Sequence, residues 1–455
     1  MKVEIKNFGP ISHATIETKP LTLIIGKNNL GKSYSAQLLN TICTTLAPVP
    51  FEFSSHAPFR WMFPPGKLEE KIINPIRSKP EEEKLNYAST VIVGEYREWL
   101  EKSLKEELET GFGTSVQNLI SVGSSSAEIT ILSHVSAKVS IDSDGEVKVG
   151  WINEKEVINE VKNEIAKSVE RVGIAQRRDD RLRSALTMLY NVDKKMRELI
   201  LGEELSKGRS IYIPAGRAGL LESFHTVRSA LLSLSPLAFT RDIKVPGLPS
   251  LAARFYITLD NLSGKKGTMF HIAGDFKNIL GGDIVLRREK ETKSIEYSFK
   301  YHGKESSLNI IHTASMIKEL APLYLITKEI MKPGDFVIIE EPESHLHPGA
   351  QLELAKILAK LVNKNVYILA TTQSDYFLTR IAHLVGQKSI KKDDPTSLDP
   401  QKVSIYWLRE TEEGSVSEEI KIPENGILRE LPTFDDIIRE LYEEESSLQT
   451  AQLEK

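Results

Sequence analysis

Gly26-Lys27-Asn28-Asn29-Leu30-Gly31-Lys32-Ser33 has the spacing of a phosphate cradle: glycine, four residues, glycine, then lysine and a hydroxyl. Gly26 and Gly31 allow backbone turns that other residues resist, so that N–H groups of the loop, through Asn28 and Asn29, can wrap a triphosphate. Lys32 would neutralise the β and γ charges of that triphosphate, and Ser33 would offer a hydroxyl to Mg²⁺. An apolar run, Leu21–Ile25, precedes the loop, and its pattern predicts a strand. An amphipathic helix is predicted from Lys32 to about Leu46, which points its positive end at the phosphates.

Phe336-Val337-Ile338-Ile339-Glu340-Glu341 forms the second group. Four apolar residues predict a fully buried strand, and two carboxylates leave its carboxyl end, where ligands sit in open α/β sheets. Beside a phosphate loop, Glu340 can hold Mg²⁺ through water, and Glu341 can orient or deprotonate the attacking water. Two further segments frame this pair. Thr313-Ala314-Ser315-Met316-Ile317-Lys318-Glu319-Leu320 reads as the start of a helix, and Leu369-Ala370-Thr371-Thr372-Gln373-Ser374-Asp375 follows a predicted strand, Val366–Ala370.

With Asn7-Phe8-Gly9-Pro10 near the start, Gly26–Ser33 and Glu340-Glu341-Pro342-Glu343-Ser344-His345-Leu346-His347-Pro348 resemble the RecF/SMC-type ABC ATPases, and most closely the OLD-like ATPases. The resemblance covers residues 1–46 and 206–425 and matches the intervening segment only loosely. It implies a Mg²⁺-ATP site with Glu340 on the metal side, where the family usually has Asp, and Glu341 as catalytic base. It also implies a homodimer closed through the ATP site. Ser344–His347 resemble the loop that faces the partner protomer, and Thr313–Leu320 the signature that reaches the partner's γ-phosphate, with Ser315 as its remaining hydroxyl. Ala314 and Met316 stand where the family has Ser and Gly; an ordinary N-capped helix is the competing reading. Gln373 occupies the switch position, usually His, and an amide never carries the imidazolium charge. Slow hydrolysis is therefore expected. Arg217 falls near the family's lid loop, with a surface turn as the alternative.

These residues need an α/β frame: an ABC-type P-loop ATPase head, a mixed sheet with flanking helices, carrying an inserted α+β subdomain. The expected partition is an ATPase lobe in 1–46 and 206–425, an insertion in 47–205, and an acidic helix and tail in 426–455. Within the insertion, Lys84–Glu109 has helical spacing, Ala127–Trp151 alternates as strands with a hairpin tip at Asp142–Gly145, and Glu154–Glu204 returns to helix. Arg177, Arg178, Arg181 and Arg183 cluster there. Asp179 and Asp180 among them favour a solvated helical face, with a DNA-binding stripe as the competing reading.

With 455 residues and a net charge of −4, the chain can bury more than one core and is no uniformly basic nucleic-acid binder. The one cysteine, Cys43, precludes an internal disulfide, and His345 with His347 would make a metal pair only with a third ligand, which the spacing does not supply. No apolar run approaches the ~18 residues of a membrane span, so a cytoplasmic protein without membrane contact is expected. The residues after Gln373 show no acid cluster for a two-metal nuclease. The expected function is an ATPase in DNA repair or anti-phage defence that controls a separate effector, a nuclease or toxin, with DNA as a candidate partner. An ATP-gated scaffold for a partner protein is the alternative, and a transporter's nucleotide-binding subunit a third.

Overall fold

Period-two alternation at the start of the chain produces β1 (Lys2–Phe8) and β2 (Ile11–Glu17), and the fully apolar stretch after them produces β3 (Leu21–Gly26), buried along its whole length. The computed structural model describes residues 1–47, 69–172, 178–238, 250–288, 295–391, 393–428 and 439–447. Helix α1 (Lys32–Thr45) follows the phosphate loop. Next come α2 (Glu81–Phe112), the strands β4 (Ser126–Leu132), β5 (Ala137–Asp142) and β6 (Val147–Trp151), then α3 (Glu154–Val172) and α4 (Arg178–Leu201). Strand β7 (Ser210–Ile213) leads to α5 (Arg217–Ala238) and α6 (Ser250–Asp260). A small antiparallel sheet holds β8 (Gly282–Arg288), β9 (Ile295–Tyr301) and β10 (Leu308–Asn309). The chain continues through α7 (Ser315–Glu329), β11 (Phe336–Glu340), α8 (Pro348–Val362), β12 (Tyr367–Thr372), α9 (Asp375–Ile390), β13 (Val403–Thr411) and β14 (Gly414–Ile420).

The chain divides into two compact units. The first takes Met1–Glu17 and Gln37–Ser210; the second takes Thr18–Ala36 and everything from Ile211 onward. Within the first unit, β1 and β2 group with the hairpin segment. Their registers show why. β1 pairs antiparallel with β2 on one edge and with β4 on the other, Ile5 opposite both Ala14 and Ile129. The first unit's strands run in the order β6-β5-β4-β1-β2, all antiparallel. They alternate buried and exposed residues, as one covered face requires.

In the second unit the order is β14-β13-β3-β12-β11-β7, with β13, β3, β12 and β11 parallel and β14 antiparallel to β13. This is a mixed α/β sheet with flanking helices. Burial of all five residues of β11 and all six of β12 explains their continuous apolar text, since full burial of each large aliphatic side chain contributes about 1.5–3 kcal/mol. Leu320, Leu323 and Ile326 of α7, with Leu354, Leu358 and Leu361 of α8, join Leu23 and Ile339 in one apolar cluster. Parallel register carries the function. Glu340 lies opposite Thr371, and Thr371 opposite Ile24, so the phosphate loop, the Glu340–Glu341 turn and Gln373 leave the sheet at one edge.

The sequence did not signal α5, because Gly216 and Gly219 read as a loop; Arg217 instead opens a 22-residue helix. The acidic helix expected near Phe434–Glu445 is present as an exposed helix over 439–447. Pro48 to Pro65 lie outside the described residues, as do Arg177 and the side chains of Arg178, Arg181 and Arg183.

Candidate functional site

The phosphate loop is shaped by backbone that few residues adopt. Gly26 has φ 149°, Asn29 66° and Gly31 91°. Gly26 is doubly constrained, because a Cβ there would meet the Leu408 carbonyl oxygen at 2.6 Å. Lys32 is buried, and its Nζ donates to Gly26 O at 2.8 Å and to Lys27 O at 2.7 Å, which ties the cation inside the loop it serves. Burial pushes the Lys32 pKa down, while the charges of Glu341 and Glu343 pull it up. Asn28, Asn29 and Ser33 are exposed, Ser33 on the first turn of α1.

Across the sheet edge, the turn after β11 places the two predicted carboxylates in different settings. Glu340 Oε2 accepts from the Ala215 N–H at 3.3 Å, whereas Oε1 is buried without a hydrogen-bond partner among the described residues. A hard cation with oxygen ligands fits that orphaned oxygen and an exposed serine hydroxyl, and Mg²⁺ in nucleotide sites takes few protein ligands, leaving the rest to phosphate and water. Glu341 sits at φ 41°, a left-handed conformation costing about 1–3 kcal/mol in a non-glycine residue. The turn is held there by its own N–H, which donates to Thr371 O at 2.9 Å. Gln373 Nε2 donates to Glu341 Oε1 at 2.6 Å, and Ser344 Oγ to Oε2 at 3.2 Å. The two candidate catalytic residues are thus directly bonded, through an amide that orients the carboxylate without titrating.

Glu343 was not singled out by the sequence, and it builds the switch. Its Oε1 accepts from Thr372 Oγ1 at 2.5 Å and from the Gln373 N–H at 2.9 Å. Thr372 Oγ1 in turn accepts from the Ser374 N–H at 3.0 Å, and Ser374 caps α9. The available signal was a third acid two residues beyond Glu341. Burial raises the Glu343 pKa, against the two hydrogen bonds that lower it. A folded-state pKa above the unfolded value means that stability from this group is present at low pH and lost as pH rises through the raised value. Glu343→Gln keeps an oxygen to accept both bonds. Its amide nitrogen takes the place of Oε2, which has no hydrogen-bond partner among the described residues, at a pH-independent cost; relative to wild type, the variant's Tm should therefore rise with pH in a melting series. Glu343→Ala should instead cost about 1–3 kcal/mol for each buried donor left unsatisfied. Equal melting curves for the Gln and Ala variants would overturn this role.

Arg217 is no surface turn and no exposed lid residue. It is 1% exposed, and its guanidinium lies among main-chain carbonyls beneath the acidic turn, paired with Glu319. Ser315 is exposed at the start of α7, whose N-cap, Ala314, makes no side-chain hydrogen bond; the N-capped-helix reading of this segment fails. Met316 is half-buried and packs on the apolar cluster. His347 Nδ1 accepts from the Gly349 N–H as the cap of α8, while His345, at φ 59°, brings Nε2 to 4.0 Å from Glu319 Oε1. The histidines thus have separate partners.

A phosphate loop and an acidic turn at the carboxyl edge of parallel strands define a phosphate-loop nucleotide hydrolase. The AAA ATPase domain family matches residues 1–176 and 261–378, which hold both elements; the chain belongs to this family and is an ATPase. No curated protein matches the sequence. Among solved structures, the Smc head domain with an extended coiled coil bound to the C-terminal domain of ScpA, from Pyrococcus furiosus, is 12% identical with a TM-score of 0.43, covering 92% of this chain and 96% of that one. The SMC head domain from Thermotoga maritima is 11% identical with a TM-score of 0.38, covering 92% and 98%. The Smc head domain with a coiled coil and joint from Pyrococcus yayanosii is 12% identical with a TM-score of 0.41, covering 93% and 97%.

Proposed function

We propose that this chain is a cytoplasmic ABC-type ATPase head that closes as a homodimer on two Mg²⁺-ATP, hydrolyses them slowly, and thereby controls a separate effector in DNA repair or anti-phage defence. The observation that carries the ATP site is the meeting of Gly26–Ser33, Glu340–Glu341 and Gln373 at one sheet edge, with Gln373 bonded to Glu341. Gly26, Asn28, Asn29, Gly31 and Lys32 hold the phosphates, Ser33 and Glu340 hold Mg²⁺, and Glu341 takes the proton of the attacking water. The dimer reading is supported by Ser315, exposed at a helix end whose N–H groups lack a side-chain cap. Slow turnover follows from Gln373, which cannot supply positive charge to the γ-phosphate. The resemblance to OLD-like ATPases supports the defence role. An ATP-gated scaffold shares every feature of the site and differs only in what the closed dimer holds.

Mg²⁺ dependence is a direct consequence of charge. Near Lys32 stand Glu341 and Glu343, with Glu340 in the same turn, so free ATP meets more negative than positive charge. Light scattering should show a shift from monomer to dimer mass with ATP and Mg²⁺, reversed by EDTA and absent with ADP. An unchanged mass under all conditions would overturn the dimer. ATP-dependent capture of a nuclease or toxin separates the effector reading from the scaffold.

A further inference from the structure

We propose that Arg217 is a positioning residue that couples the Glu341 turn of one nucleotide site to the Ser315 end of α7, and so to the second site. The inference rests on the dimer proposed above. A guanidinium carries five N–H donors in a planar fork, and here each has a main-chain acceptor. Nε donates to Glu319 O at 2.9 Å; Nη1 to Glu340 O at 2.8 Å and Pro214 O at 3.2 Å; Nη2 to Glu341 O at 3.1 Å and Pro342 O at 3.4 Å. The acceptors come from three places: the end of β7, the acidic turn, and α7. Nε also lies 3.1 Å from Glu319 Oε2, so the buried cation has a buried counter-charge. Burial lowers the Arg217 pKa and raises that of Glu319, and each is held back by the other's charge.

This arrangement is rigid at a point where two catalytic parts join. The carbonyls of Glu341 and Pro342 belong to the strained turn that aims the base. Glu319 lies four residues after Ser315, on the same face of α7. The neighbouring Lys318 pairs with Glu222 of α5, the helix that Arg217 opens. A shift of the acidic turn on nucleotide binding therefore passes through one planar group to α7. Lysine, with three donors on a point charge, cannot span these acceptors.

The test uses Arg217→Lys and the double variant Arg217→Met/Glu319→Gln, which removes both buried charges together and so leaves neither unpaired. Melting temperature, Mg²⁺-ATP Kd, kcat and the Hill coefficient of hydrolysis are measured on the full chain. In both variants Kd should change less than about threefold, whereas kcat should fall by about 10²-fold, as a misplacement of about 1 Å does elsewhere. The Hill coefficient should drop from near 2 to 1. The double variant leaves the Glu319, Glu340 and Glu341 carbonyls without this donor and should melt below wild type, so kcat and cooperativity are read well below its melting temperature, where a purely structural residue would leave both unchanged. Wild-type kcat and cooperativity in either variant would overturn the coupling while leaving the dimer intact. A wild type that is non-cooperative and monomeric with ATP would overturn the dimer and this inference with it.

Discussion

Glu341→Gln should lower kcat by about 10²–10⁴-fold, the range for loss of a general base, while the Kd for Mg²⁺-ATP stays within about threefold. The prediction is sharp because the substitution disturbs little else. The amide oxygen can still accept from Gln373 Nε2, and the amide nitrogen can donate to Ser344 Oγ where Glu341 Oε2 accepted before. Backbone contacts of the turn do not involve the side chain: the Glu341 N–H goes to Thr371 O, and the Glu341 carbonyl to Arg217. What is lost is the capacity to take a proton from water. With hydrolysis blocked and binding kept, the proposed ATP-bound dimer would have no route to open. It should accumulate at saturating ATP as a doubled mass in light scattering, while the wild type cycles. Phosphate release under single-turnover conditions checks the chemistry and scattering checks the state. A variant that hydrolyses at the wild-type rate would assign the base elsewhere.

Much of this site could be read from local text, because its parts are short and act where they stand. Gly26–Ser33 and Phe336–Glu341 are each continuous, and apolar runs put the phosphate loop and the Glu340–Glu341 pair at the ends of buried strands. Residues whose role depends on distant main chain could not be read this way. Arg217 finds four of its five acceptors 102 to 125 residues away, and its own surroundings, Ala215 to Gly219, resemble a loop. Glu343 acts through Thr372 and Gln373, 29 and 30 residues on. Met316 stands where the resemblance has Gly, and what its side chain touches could not be read locally: it packs on the apolar cluster. A Gly there would remove that packing and weaken the helix start as well as altering the phosphate approach. The alternation in β1 and β2 identifies strands but not their partners; the β1–β4 register decides that.

Lys32→Met should abolish the stabilisation that Mg²⁺-ATP confers on melting, while leaving the melting of the nucleotide-free protein close to wild type. Methionine keeps the length and the apolar stem but removes the charge. In the wild type the ammonium is buried, its pKa pushed down by desolvation, and its described hydrogen bonds go only to Gly26 O and Lys27 O of its own loop. A buried cation held this way adds little to folding, because desolvation offsets its hydrogen bonds. Its value lies in the triphosphate it meets. At a ligand concentration of 100 times Kd, binding stabilises the native state by about 2.7 kcal/mol. If the variant weakens Kd by about 100-fold, the same ATP contributes only about 0.4 kcal/mol. For a protein of 455 residues that difference is about 2–3 °C in Tm. Lys32→Arg should fail in the same way, because a wide planar fork does not replace a buried ammonium that donates to both Gly26 O and Lys27 O. Losing the ATP-dependent shift in both variants, with nucleotide-free melting kept, would locate the triphosphate at this loop. An undiminished shift in Lys32→Met would place nucleotide binding somewhere else in the chain.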